Sequence, residues 1–77
     1  MNAPQGWMLV SGTPNYEHHE GFVAIYDRTC RGYASYSVYF ADENRRNIHT
    51  VVSVGGLPTS DVLRAAKRHR KRAQVMP

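Results

Sequence analysis

The chain has 77 residues, one cysteine and a formal net charge of +4. That length predicts one small domain near the lower limit for a single hydrophobic core, with little room for a water-excluding substrate pocket. A lone Cys30 excludes an internal disulfide, and no apolar run is long enough for a targeting segment or a membrane span.

Residues 1–6 include Asn2, Pro4 and Gly6 and predict a loose N-terminus. The short apolar run Trp7-Met8-Leu9-Val10 suits a first strand. Ser11 to Gly21 carries Gly12, Pro14, Asn15 and two adjacent histidines, the composition of a loop. From Gly21 to Arg28 the sequence alternates, with Phe22, Ala24 and Tyr26 on one face and Val23, Ile25 and Asp27 on the other. Thr29-Cys30-Arg31-Gly32 then predicts a hairpin connection. Tyr33 to Ala41, rich in Tyr, Val and Phe, is the most strand-like stretch. Asp42 to Asn47 forms a polar turn, and Ile48 to Val54 a further strand before Gly55-Gly56.

The end is helical over 59–74. Pro58 precedes the capping residues Thr59 and Ser60, and Asp61 complements the positive end of the helix dipole. Val62, Ala65, Ala66, His69 and Ala73 cluster on one side at helical spacing, with Arg64, Lys67, Arg68, Lys71 and Arg72 on the opposite arc. The expected fold is therefore α+β: a three- or four-stranded antiparallel meander over residues 7–54, packed against one C-terminal basic amphipathic helix. The Trp7 strand sits at an edge.

Charge is the most informative pattern. Arg64, Lys67, Arg68, Arg70, Lys71 and Arg72 place +6 in residues 62–77, where no acid stands. Residues 1–61 carry four basic and six acidic side chains, or −2. A concentrated positive field favours polyanions, above all phosphates, and Arg adds bidentate contacts. Arg31, Arg45 and Arg46 at the strand turns extend that surface if the turns lie near the helix. The expected function is non-enzymatic binding of DNA, RNA or a nucleoprotein complex, dominated by phosphate contacts.

Tyr33, Ser35, Ser37 and Tyr39 share one face of their strand, and Ala34, Tyr36, Val38 and Phe40 the other. The second set is the better core face, which leaves Tyr33 and Tyr39, with Tyr26 or Phe22 alongside, as a base-stacking platform. Arg31-Gly32-Tyr33-Ala34 resembles the opening of the RNP1 motif of RNA-recognition domains. Ser35 and Val38 stand where its later aromatics belong, and a loop replaces the helix after the first strand. The element order is also similar to the later part of a double-stranded-RNA-binding domain, without that family's first helix.

Cys30, His18, His19, His49 and His69 show no closed metal-site spacing. His18 and His19 are expected to diverge in an extended chain, and His69 to pack on the apolar side of the helix, so no metal or other cofactor is expected. Glu17, His18, His19 and Glu20 join acids and bases in one loop, a composition that solubility also explains. The reading is a cytoplasmic binding protein with no membrane contact, able to dimerise through edge strands. A second reading rests on general form. A tiny stand-alone chain without an enzyme motif is similar in type to phage-encoded inhibitors, including anti-CRISPR proteins. That likeness implies direct blockade of a host protein or nucleoprotein complex through an acidic partner surface or an exposed sheet edge.

Overall fold

The computed structural model describes residues 6–75, except the side chains of Cys30 and Val75. The loose segment expected over residues 1–6 lies almost wholly outside the described residues. Five antiparallel strands follow in chain order: β1 (Trp7–Leu9), β2 (Tyr16–His18), β3 (Phe22–Cys30), β4 (Tyr33–Ala41) and β5 (Asn47–Ser53). Each strand pairs with its neighbours in sequence, giving the order β1-β2-β3-β4-β5. The helix α1 spans Ser60–Val75.

The fifth strand corrects the expectation of three or four. Tyr16–His18 lies inside the segment read as a loop, and three residues are too few to display a period. It forms because both sides pair: Trp7 opposes His18 and Leu9 opposes Tyr16, while Tyr16 opposes Ala24 and Glu17 opposes Val23.

Strand alternation sorts the sheet into two faces. Phe22 opposes Phe40, Ala24 opposes Val38, and Tyr26 opposes Tyr36, all on the helix side. With Trp7 and Ala66 they form the core. Phe22 and Val38 are its largest fully enclosed side chains. Thr50 takes up a bulge in β5 and satisfies its buried hydroxyl by donating to the Val38 carbonyl at 2.8 Å.

The helix packs with a different face inward than hydropathy suggests. Ala66 is buried, Leu63 packs against the core, and Arg70 lies over the Phe22 ring at 4.3 Å. His69 and Ala73, expected to be packed, are exposed. The cause is an amphipathic arginine: its guanidinium covers an aromatic ring, and hydropathy counts it as polar. The Thr59 carbonyl accepts the first intrahelical bond, from Leu63 N–H at 2.9 Å, which makes Thr59 the cap.

Two turns hold non-glycine residues in the left-handed region. Arg31 (φ 53°) and Gly32 (φ 82°) link β3 to β4 with both φ positive, as a two-residue type I′ turn requires. Arg45 (φ 62°) occupies a similar position in the 42–46 turn. A β-carbon is disfavoured there, and Asn tolerates the region better than Arg. Arg31→Asn and Arg45→Asn should each raise unfolding free energy by about 0.5–1 kcal/mol in urea titrations. A loss of stability in either variant would contradict the turn geometry.

Candidate nucleic-acid interface

The six helix cations divide into two groups. Lys67 and Arg70 turn toward the β2–β3 turn. Lys67 Nζ lies 3.0 Å from Glu20 Oε1, and Arg70 Nη1 donates to the Glu20 carbonyl at 2.7 Å. Glu20 therefore clasps the helix twice, once through its carboxylate and once through its backbone. The Lys67 hydrogen bond is the main cause that holds the Glu20 carboxyl below its usual range. Gly21 makes the tight turn possible at φ +95°, with its N–H donating to the His18 carbonyl at 2.9 Å.

Arg64, Arg68, Lys71 and Arg72 occupy the outward arc and are exposed. Their spacing of i, i+4, i+7 and i+8 lines them along about 12 Å of helix. Arg64 approaches Asp61 at 3.7 Å, but both side chains are largely in solvent, so the pair is weak. No acid pairs with Arg68, Lys71 or Arg72 among the described residues. The arc is a stripe of four cations, three of them without an acidic partner there.

The turn arginines fall at opposite ends of the sheet. The 42–46 turn adjoins the last turn of the helix, since Asp42, Arg46, Ala73 and Gln74 line one groove. Within it, the Asp42 carboxylate accepts from the backbone N–H groups of Asn44 (2.9 Å) and Arg46 (2.8 Å) and from Arg46 Nε (3.1 Å). The Arg46 backbone bond is the first cause depressing the Asp42 pKa. Arg46 is thus paired with Asp42 although its side chain is largely in solvent, and Arg45 is exposed as well. Arg31 stands at the other end of β4, about 26 Å along the strand.

Tyr33 and Tyr39 lie on the sheet face away from the helix, roughly 20 Å apart along β4. Tyr39 is half-buried and meets His49 edge-on at 5.2 Å, and Tyr33 is exposed near the hairpin. Phe22 and Tyr26 face the helix side instead, so neither stands beside Tyr33 or Tyr39. The four rings form no shared platform.

His18 and His19 stack at 4.4 Å rather than diverging, and with Glu20 they bring their potential ligand atoms within 4.8 Å of one another. The chemistry of the cluster is already committed. His18 Nδ1 accepts the Glu20 N–H at 3.1 Å, and the Lys67 ammonium stands at the Glu20 carboxylate where a metal cation would otherwise sit. The exposed His69 stands apart from this cluster.

His18 is buried edge-on to Trp7 at 4.9 Å, and burial is the largest cause lowering its pKa from 6.5, followed by the charge of His19. Between the folded pKa and 6.5 the unfolded chain binds more protons. The stability due to neutral His18 is therefore full above about pH 6.5 and is lost as pH falls through the folded pKa. The melting temperature should fall from about pH 7.5 to about pH 5, and His18→Gln should flatten that slope. An unchanged slope in the variant would contradict the assignment.

No helix among the described residues is long and apolar enough to cross a membrane. Compared with known proteins, the chain matches no family model, no curated protein and no solved structure.

Proposed function

We propose that the protein is a non-enzymatic, phosphate-reading nucleic-acid binder whose contact surface is the stripe Arg64, Arg68, Lys71 and Arg72. The observation that carries this reading is the division of the helix cations. Lys67 and Arg70 hold the helix to the fold, while the other four project from the opposite arc. A row of exposed cations with so little acidic compensation has a large electrostatic cost that a polyanion relieves. Arg45, exposed in the turn beside the helix C-terminal end, stands outside the stripe and contributes only to a ligand that reaches past the helix. Arg31 and Tyr33, at the far hairpin, contribute only to a ligand that wraps the molecule. Phosphate contacts place the protein without specifying sequence.

The test is fluorescence anisotropy with labelled duplex DNA, single-stranded DNA and RNA at low salt. Binding that weakens steeply with added salt supports the reading, and absence of binding to all three contradicts it. An inhibitor of a host protein or nucleoprotein complex is the second reading. The stripe would then dock on an acidic protein surface, and tight binding to one protein without free nucleic-acid binding would favour it.

A further inference from the structure

The sheet has a second face that no element among the described residues covers. Its central rows contain Val23 and Tyr39, then Ile25, Ser37 and Val52, as the strand registers place them. Met8 on β1 and His49 on β5 flank these rows. Large exposed apolar side chains concentrate here: Met8 (73 % exposed), Tyr33 (63 %), Val52 (51 %) and, just beyond β5, Val54 (78 %). Leu9 is the other large apolar residue so exposed among those described, and it lies on the helix side.

We propose that this face packs against the same face of a second copy of the chain, closing a two-sheet sandwich with the helices outside. Three observations favour a second copy. The face carries few charges, Glu17 between Met8 and Val23 and the opposed pair Asp27 and Arg28 near the hairpin end, which suits an apolar partner and not a polyanion. Five strands at their usual spacing give a flat footprint of roughly 450 Å² before side-chain relief, the scale from which an interface of about 800 Å² per partner is built. The core is small, with seven buried apolar residues among those described, two of them alanines, and a second sheet would complete it.

Electrostatics permits the arrangement. Each chain carries +4, but its helix cations lie on the outer side. At about 10 Å per layer the two helices stand about 30 Å apart, several Debye lengths at physiological salt. The two basic stripes then point in opposite directions.

Sedimentation equilibrium on the wild-type chain at high micromolar concentration tests this. The expected mass is twice the 8.7 kDa of the chain. Ile25→Lys combined with Val52→Lys should weaken the dimer at least 100-fold and give a monomer with unchanged far-UV circular dichroism. Val52→Lys alone, at an exposed edge position, carries the test if the double variant unfolds. Leu9→Lys, on the helix side, should leave the dimer intact. A monomeric wild type overturns the proposal, and so does a dimer indifferent to lysines on this face, which would point to edge pairing through β5.

Discussion

Reversing Arg68 and Lys71 to glutamate should abolish detectable nucleic-acid binding at physiological salt without loss of fold. Both side chains project from the outward arc and make no ion pair among the described residues, so the folded state has little to lose. Two of four phosphate contacts disappear, and two negative charges then face the phosphates. Each lost contact lowers the log–log salt slope by about 0.9 on duplex DNA. The inward pair should behave oppositely. Lys67→Gln and Arg70→Met remove the contacts to Glu20, and Arg70→Met also removes the cation over Phe22. Arg70→Met should cost about 1–2 kcal/mol of stability, Lys67→Gln much less because its ion pair is solvated, and neither should change the salt slope. Binding equally sensitive to both pairs would contradict the division.

Phe22→Ala should produce the largest loss of stability, about 3–5 kcal/mol by urea unfolding. Phe22 is 0 % exposed, opposes Phe40 across β3 and β4, and carries the Arg70 guanidinium on its ring. Truncation leaves a cavity and also removes the surface on which the helix is clamped. For a chain of this length the whole unfolding free energy is only about 4–12 kcal/mol, so the loss takes about a quarter of it or more and unfolds the variant outright at the low end of that range. A loss below about 1 kcal/mol would show that the core is not organised around this ring.

Much of the fold was legible because its long elements carry strong local signals. Tyr33–Ala41 was readable to the residue, since a stretch rich in Tyr, Val and Phe without a helix-period stripe lies between turns marked by Gly32 and Asp42. The helix was legible from its cap and its basic arc. Tyr16–His18 was not, because a three-residue strand has no measurable period and owes its existence to pairing with β1 and β3. The inward helix face was misjudged for a related reason. Alanines give a faint hydropathy signal, and Arg70 sets its guanidinium on Phe22, a contact 48 residues distant in sequence. The candidate site was legible as composition only. Sequence counts six cations, but Glu20, in a segment read as loop, selects which two are structural. It also could not place Arg31 and Arg45 at opposite ends of β4, because that requires the strand pairing.

In the proposed function, four outward cations, and not all six, meet phosphates. The most direct measurement is the salt dependence of anisotropy-detected binding to a labelled duplex. Four contacts predict a log–log slope of about −3.6, and six would give about −5. A slope near −3.6 that survives Lys67→Gln and Arg70→Met supports the account. A slope near zero, or no binding at low salt, would contradict it and shift the stripe's role to a protein surface.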